Sequence, residues 1–225
     1  MRPILEFTAV TRAYGPRLAL DDVNLALEPG ELTFLVGPSG AGKTTLLKLV
    51  NREIRPTSGQ IWVDGIPAHD LKASRVSQLR RHVGVVFQDF KLLPRLTAKE
   101  NVALALQVGD LRISDDEASE RATDALEAVG LGDRGSSFPH QLSGGQQQRV
   151  AVARAVVGQP RLLIADEPTG NLDEGTGNAV VDLLLGLCSS ANAALVLVTH
   201  NAAHAAKTRR SLTLTRGRLD APVTS

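Results

Sequence analysis

The sequence has few features of a secreted or membrane-spanning protein. Its 225 residues include a single cysteine, Cys188, so no disulfide can form within the chain, which favours a reducing compartment. We interpret this cysteine, which follows the apolar stretch 180–187, as a buried small side chain rather than a reactive thiol. No apolar run approaches the roughly 20 residues that a membrane-spanning helix requires.

An excess of charge of one sign and a signal sequence are also absent. The 25 basic and 24 acidic residues leave a formal net charge of +1, so no overall field favours nucleic acid or an acidic membrane surface. Residues 1–10 include Arg2 and Glu6 and lack the apolar core of a signal peptide. We therefore expect any role at a membrane to depend on a partner protein.

The pattern of apolar residues predicts an α/β fold. Residues 4–10 and 20–27 alternate apolar and polar side chains, as antiparallel strands do. Four short runs are instead apolar throughout, which is typical of central strands in a parallel sheet covered by helices. Each run stops at a polar residue: 32–36 before Gly37, 83–87 before Gln88, 162–165 before Asp166 and Glu167, and 195–199 before His200.

The stretch between the second and third runs has a helical pattern. Residues 97–100 and 114–117 are capping boxes, and each precedes apolar residues at helical spacing. We predict a single domain, residues 1–225. Its core comprises about residues 1–88 and 158–225, and a mostly helical subdomain comprises about residues 89–157.

The segment GPSGAGKT, residues 37–44, indicates a site for a nucleoside triphosphate. Glycines let the backbone curl until several N–H groups face phosphate oxygens, and the helix that follows adds unpaired N–H groups of its own. We expect Lys43 to reach the outer phosphates and the Thr44 hydroxyl to bind Mg²⁺. The preceding strand and following helix disfavour the alternative of a plain surface turn. The candidate nucleotide-binding residues here are Gly37, Pro38, Ser39, Gly40, Ala41, Gly42, Lys43, Thr44 and Thr45.

The polar residues at the other strand ends suit nucleotide hydrolysis. Ligands of parallel sheets bind beyond the carboxyl ends of the strands, so we expect all four ends to meet at one edge. Asp166 would join the Mg²⁺ shell, and Glu167 would orient or deprotonate the attacking water. Gln88 would lie near the metal and water, and His200 near the γ-phosphate. For each of these residues, an ordinary polar side chain at a strand end is the alternative.

A second anion-binding helix end is predicted at residues 142–146. Ser143 and Gln146 form a capping box around Gly144 and Gly145, with Arg149 and Arg154 placed behind it on the same predicted helix. A phosphate loop and a separate helix end on another lobe could act together across a two-fold dimer interface. An ordinary capped helix is the alternative. Tyr14, the only tyrosine, either packs in a turn or stacks on a base.

These motifs, in this order, resemble the nucleotide-binding subunits of ABC transporters over essentially the whole chain. The match comprises the phosphate loop, the Q-loop Gln88, the signature 142–146, the Walker B strand ending in Asp166 and Glu167, the D-loop 171–173 and the switch His200. The resemblance implies an ATP hydrolase with a P-loop NTPase, RecA-like core, an N-terminal antiparallel β subdomain and an inserted helical lobe. It also implies that ATP with Mg²⁺ is held head to tail in a homodimer, against Ser143 and Gly145 of the second subunit, and that Tyr14 stacks on adenine.

Within the family, residues 87–101 and 166–173 are most similar to the cell-division ATPases. That resemblance implies an integral membrane partner of the FtsX type, which carries the ATPase cycle outward to peptidoglycan hydrolases, and a place at the cytoplasmic face of the plasma membrane. Residues 90–93 would form part of the groove for the partner's coupling helix. Asn201 departs from the family pattern, since many relatives carry an acidic residue after the switch histidine, and this bears on the geometry of the switch.

Two other functions are consistent with the sequence. Residues 168–173 are also similar to lipoprotein-release and macrolide-exporter ATPases of the family. A soluble ABC protein that acts on nucleic acid or the ribosome usually has paired cassettes or long insertions. This chain has one cassette and a nearly neutral charge, so we expect no direct binding to nucleic acid.

Overall fold

A computed structural model describes residues 2–109, 113–200, 204, 207–208 and 210–220. The first part of the chain forms an antiparallel sheet, as its alternating pattern predicts. It contains β1 (Leu5–Tyr14), β2 (Arg17–Leu27), β4 (Ser58–Val63) and β5 (Ile66–Pro67), in the order β2-β1-β4-β5. One face of this sheet is apolar, with Phe7, Leu25 and Ile61 buried, so it must cover another layer.

That layer is a mostly parallel sheet that contains the four apolar runs. Its strands are β3 (Leu32–Val36), β6 (Val83–Phe87), β7 (Leu162–Asp166), β8 (Ala194–Val198), β9 (Arg210–Thr215) and β10 (Arg218–Leu219), in the order β10-β9-β3-β8-β7-β6. Only β10, at one edge, pairs antiparallel. Our prediction that the four runs form parallel strands is confirmed, and three of them are central, whereas β6 lies at the edge of the sheet.

The two faces of β7 show why such strands are apolar throughout. Leu162 and Ile164 pack in the core beneath the antiparallel sheet, whereas Leu163 and Ala165 pack in a second core beneath the helices. Complete burial of a leucine or isoleucine side chain stabilises a fold by about 1.5–3 kcal/mol. Both faces therefore select apolar residues, and the strand loses its alternating pattern.

The sequence analysis missed β9, which lies next to the phosphate-binding strand β3. Leu212 and Leu214 are buried, but their neighbours Ser211, Thr213 and Thr215 are polar. Arg210 explains the polar start of the strand, because its guanidinium pairs with Glu31 and donates to the Ala26 carbonyl. This ion pair lies at the junction of the two sheets, and only the two leucines of the strand are buried.

The helices are α1 (Lys43–Val50), α2 (Val76–Arg80), α3 (Ala98–Gly109), α4 (Asp115–Ala128), α5 (Gly144–Val156) and α6 (Glu174–Ala191). The inserted lobe consists of α3, α4 and α5, and α6 covers the central sheet. The fold class is confirmed: a P-loop NTPase core, an N-terminal antiparallel subdomain and an inserted helical lobe. The subdomain boundaries near residues 88 and 158 stay a prediction.

Within the described parts of the chain, no helix combines the length and hydrophobicity that crossing a membrane requires. The long helix α6 instead packs against the sheet through Val180, Val181 and Leu184. Cys188 continues this buried face and is 2% exposed. Burial raises the pKa of its thiol to about 12, as expected for a thiolate that would lose its hydration.

We expect Cys188 to be inert in the native protein. Because its pKa is raised, the nucleophilic thiolate is essentially absent at about pH 8, where an exposed cysteine reacts readily. An aromatic disulfide reagent should label the protein only after unfolding in guanidinium, as followed by absorbance. Labelling of native and unfolded protein at equal rates would contradict the packing of α6.

Candidate functional site

The order of the central sheet brings the predicted strand ends to one edge. Strand β8 lies between β3 and β7, and β6 flanks β7 on its other side. Asp166 is opposite Phe87 in β6 and opposite Val198 in β8, so the residues that follow these strands begin at one level. The phosphate loop after β3, His200 after β8, Glu167 after β7 and Gln88 after β6 therefore form a row along this edge.

The phosphate loop folds around the ammonium group of Lys43. Its Nζ donates hydrogen bonds to the carbonyl oxygens of Gly37, at 2.7 Å, and Pro38, at 3.0 Å, and the residue is 6% exposed. These two hydrogen bonds help to fix the conformation of the loop. The Lys43 charge is fixed at the concave side of the turn, where phosphate oxygens would need it.

The glycines of the loop serve two different purposes. A Cβ atom at Gly37 would clash with the Leu214 carbonyl oxygen, and one at Gly42 would clash with the Ala19 carbonyl oxygen. These glycines thus let neighbouring strands approach the loop. Only Gly40 is open, with its nearest neighbour, an Arg17 nitrogen, 3.6 Å from a Cβ built there. The assignment of all three to phosphate approach stays a prediction, and for Gly37 and Gly42 this packing is a second reason for glycine.

The N-terminus of α1 suits an anion. Gly42 precedes the helix in a left-handed conformation, no side chain caps it, and its first turn contains no acidic residue. The first N–H groups of a helix have no partner within the helix. Here they face the same region as Lys43, so the residues present fit a phosphate group.

Thr44 and Asp166 form a candidate Mg²⁺ site. The Thr44 side chain, from α1, lies close enough to the Asp166 carboxyl group of β7 to affect its pKa. Burial is the main reason that the pKa of Asp166 is raised, with Glu167 adding to the rise, whereas the neighbouring Thr44 side chain and the Lys43 charge oppose it. A buried carboxylate without a full counter-charge is a good ligand for a cation.

The described residues contain no cluster of three or more His, Cys, Asp or Glu side chains that could hold a metal ion alone. A metal at Asp166 would therefore take its other ligands from hydroxyl, amide, water and phosphate oxygens, which is how Mg²⁺ commonly binds beside nucleotides. This donor set fits Mg²⁺ better than a transition metal.

Glu167 and His200 are a pair in the structure. The His200 Nδ1 and the Glu167 Oε2 are 3.0 Å apart, and His200 is exposed whereas Glu167 is partly buried. Glu167 has a left-handed backbone, with φ of 46°, and its N–H donates to the Val198 carbonyl. This conformation turns the chain sharply after β7 and directs the carboxylate toward the switch residue.

Gln88 lies against the loop that follows the acidic pair. Its carbonyl accepts a hydrogen bond from Asn171 Nδ2 at 3.0 Å. Its side chain occupies the space above Gly170, where an added Cβ would be only 2.5 Å from the Gln88 amide nitrogen. The D-loop therefore positions both the backbone and the side chain of Gln88.

The predicted capping box at the start of α5 is present. Ser143 N–H donates to Gln146 Oε1, and Gln146 N–H donates to Ser143 Oγ. No hydrogen bond joins residues 143–146 to residues 37–45 within the described structure, so one chain does not bring these two motifs together. Arg149 and Arg154 lie behind this helix start on α5, where Arg154 donates to the carbonyls of Phe90 and Lys91 and Arg149 approaches Gly130.

Tyr14 lies at the turn end of the β1–β2 hairpin and is 44% exposed. The Arg12 guanidinium carbon is 4.5 Å from the ring centroid, so a cation covers part of the ring. Arg17, the strand partner of Tyr14, reaches toward Gly40 of the phosphate loop. The hairpin thus places an exposed aromatic ring beside the loop.

The family model described as "ABC transporter" matches residues 20–170, about two thirds of the chain. The chain belongs to the ABC transporter family. Relatives include the cell division ATP-binding protein FtsE of Bacillus subtilis, 43% identical over 199 residues, 88% of this chain and 86% of that protein. The lipoprotein-releasing system ATP-binding protein LolD of Hyphomonas neptunium is 42% identical over 224 residues, 97% of each chain.

The ATP-binding cassette MJ0796, in a dimeric post-hydrolysis state bound to ADP and Pi, superposes with a TM-score of 0.89 at 37% identity. The match covers 98% of both chains. This ABC protein is an ATP hydrolase, since the family match and the likeness to a cassette with hydrolysis products agree.

Two side chains that organise this ABC site were not predicted from the sequence. Gln148, on α5, is fully buried and donates to the Pro168 carbonyl at 2.7 Å, next to Glu167. Asn101, on α3, is 1% exposed and binds the backbone of Leu93, Leu96 and Thr97. Both are polar residues on otherwise buried helix faces, and this pattern was the signal by which the sequence could have revealed them.

Asn201, the departure from the family pattern, lies outside the described residues.

We expect the substitution Asp166→Asn to raise the unfolding temperature of the nucleotide-free protein at neutral pH. A carboxyl group whose pKa is raised in the folded state destabilises the fold above that pKa, and the penalty disappears as the pH falls through it. The difference between variant and parent in thermal unfolding should therefore shrink in acidic buffer.

Asp173→Asn is the matched control, for which we expect the opposite change in unfolding temperature. Hydrogen bonds from the side chain and backbone of Thr176 lower the pKa of Asp173, so its carboxylate stabilises the fold at neutral pH. That substitution should lower the unfolding temperature at neutral pH and lose its effect in acid. A lower unfolding temperature for Asp166→Asn at neutral pH would contradict the desolvation of Asp166.

Proposed function

We propose that this ABC ATPase subunit binds ATP with Mg²⁺ at the phosphate loop and dimerises head to tail around it. The observation that carries the proposal is the row of side chains at one sheet edge, from Lys43 through the Thr44–Asp166 pair to the Glu167–His200 pair. The MJ0796 dimer with ADP and Pi supports the assembly. In the dimer, Ser143, Gly144, Gly145 and Gln146 of one subunit would complete the site of the other.

In this proposal, each residue has one task. Lys43 and the first N–H groups of α1 bind the β- and γ-phosphates, and Tyr14 stacks on adenine. Thr44, Asp166 and Gln88 hold Mg²⁺, which neutralises phosphate charge when bound. Residues 37–42 and Thr45 shape the cradle and supply backbone contacts.

Hydrolysis would then proceed by in-line attack of water on the γ-phosphorus. Glu167 orients the water and accepts its proton, while the bond from phosphorus to the bridging oxygen breaks and yields ADP and inorganic phosphate. His200, 3.0 Å from Glu167, fixes the orientation of the carboxylate and lies next to the developing charge of the γ-phosphate. The Lys43 charge stabilises the leaving phosphate oxygens.

We expect Glu167→Gln to lower kcat by about 100-fold or more, because the amide cannot accept the proton, while ATP binding is retained. The dimer should persist when ATP is not consumed, as seen by light scattering with ATP and magnesium. Lys43→Ala is the comparison variant, and it should lose both nucleotide binding and dimer. Hydrolysis at the parent's rate in Glu167→Gln would overturn the assignment of Glu167.

We further propose a membrane partner that docks between the core and the helical lobe. A cavity of about 1000 Å³ lies there. Apolar side chains of both subdomains line it, including Val76, Val83, Val85, Leu106, Val108 and Ile113. The charged lining is mainly basic: Arg80, Arg81, Arg121 and Arg154 against the single acid Glu117. An amphipathic helix with acidic side chains, supplied by an integral membrane protein, fits this lining.

The partner that we propose is of the FtsX type, with the subunit at the cytoplasmic face of the plasma membrane and a role in cell division and peptidoglycan hydrolysis. Identity of 43% to FtsE and the motif at 87–101 support this role. A lipoprotein-releasing or macrolide-type exporter is the second candidate, favoured by the match to LolD over 97% of both chains. Residues 90–93, placed in the groove by sequence, are absent from the lining of this cavity, and Arg154 connects them to it.

Val108→Glu tests the docking site, because Val108 is 68% exposed on α3 and lines the cavity. A buried carboxylate at an interface is costly, so co-purification with a co-expressed FtsX-type partner should fall by about tenfold or more. The Val108→Glu variant should have the same unfolding temperature as the parent. Ala128→Glu, at an exposed position of α4 outside the cavity lining, should not affect co-purification. Capture of a lipoprotein-releasing membrane subunit instead would favour the second candidate.

A further inference from the structure

The turn that follows Gln88 has an unusual backbone. Phe90 and Lys91 are both left-handed, with φ of 58° and 50°, and neither is glycine. Left-handed conformations are unfavourable for residues with a side chain, because the Cβ atom crowds the following carbonyl oxygen. The Lys91 N–H bonds to the Asp89 carbonyl at 2.5 Å, which closes the turn tightly. Two consecutive strained residues need support from the surrounding structure.

Arg154, on the helix that begins with the signature motif, provides this support. Its guanidinium donates to the Phe90 carbonyl at 2.7 Å and to the Lys91 carbonyl at 2.5 Å. Burial lowers the pKa of Arg154, and among the described residues no carboxylate forms an ion pair with it. The partial negative charges of the two carbonyl oxygens therefore offset much of the positive charge of the partly buried guanidinium. The planar guanidinium of arginine holds several N–H donors in a fixed geometry, so it suits two adjacent carbonyls better than a lysine ammonium would.

Arg154 connects three functional regions, two through its side chain and one through its helix. Arg154 lines the cavity between the core and the helical lobe, and it lies on the helix whose first turn contains Gly144 and Gly145. The turn that it binds begins at Gln88, whose carbonyl is held on the other side by Asn171. A displacement of α5 or of an occupant of the cavity would therefore reach Gln88 through two short hydrogen bonds.

We propose that Arg154 is a positioning residue for ATP hydrolysis, which acts by holding the 88–91 turn in its left-handed form. Because Arg154 connects α5 to this turn, the helical lobe and the Gln88 side of the site move as one unit. This inference rests on the proposed role of Gln88, and it assigns Arg154 no contact with ATP.

The experiment compares Arg154→Ala and Arg154→Lys with the parent in steady-state ATP hydrolysis of the full chain with magnesium. We expect Arg154→Ala to lower kcat by about tenfold or more, with the KM for ATP within about twofold, because the phosphate loop is untouched. Arg154→Lys should recover part of the activity, since one amine can reach a carbonyl but cannot bridge both.

Arg52→Ala is the matched control, because Arg52 also donates from one guanidinium to two backbone carbonyls, those of Ala68 and Leu71. Burial lowers its pKa as well. It lies away from the site, so this substitution should lower the unfolding temperature and leave kcat at 25 °C unchanged. Equal losses of kcat in the Arg52 and Arg154 variants would show a stability effect only and overturn the inference.

A double-mutant cycle with Gln88→Ala gives the second readout. If Arg154 acts through Gln88, the variant with both substitutions should hydrolyse ATP no more slowly than Gln88→Ala alone. Additive losses would overturn the role of Arg154 while leaving the role of Gln88 intact. A Gln88→Ala variant with the parent's kcat would overturn both, so the two failures are distinguishable.

Discussion

The parallel pairing of β3, β8, β7 and β6 is the constraint on which the site depends. In parallel strands the carboxyl ends point the same way, so four loops that are far apart in sequence emerge side by side. Asp166 in β7 is level with Phe87 in β6 and Val198 in β8. A slip of one residue in this pairing would turn each side chain to the other face and break up both cores.

The loops at this edge are held mainly by side chains that donate to backbone carbonyls. Lys43 closes the phosphate loop, Asn171 and Arg154 fix the turn after Gln88, and Gln148 holds the segment after Glu167. Loops lack the repeating hydrogen bonds of helices and strands, so their buried carbonyls need such partners. The donors come from different elements, so rearrangement of one loop affects its neighbours.

Relatives named for cell division and for lipoprotein release are about equally similar to this ABC ATPase, since the ATP-binding machinery is common to the family. Specificity for a partner must therefore reside elsewhere. The cavity between the core and the helical lobe is suited to this, because its apolar floor and excess of arginines set the chemistry of an occupant without altering the phosphate loop. Arg154 links this cavity to the 88–91 turn in the same chain.

The sequence alone determined the central strands, the antiparallel hairpin, the capped helices and the residues of the phosphate loop. These features are local, since periodicity, capping residues and glycine spacing operate within about ten residues. Only the tertiary structure decided that Gly37 and Gly42 make room for the carbonyls of Leu214 and Ala19, that β9 joins the sheet, and that Arg154 binds the turn after Gln88. Each of these depends on contacts between residues more than 20 positions apart. No pattern along the chain records such contacts, because they exist only once the sheets and the helical lobe have packed.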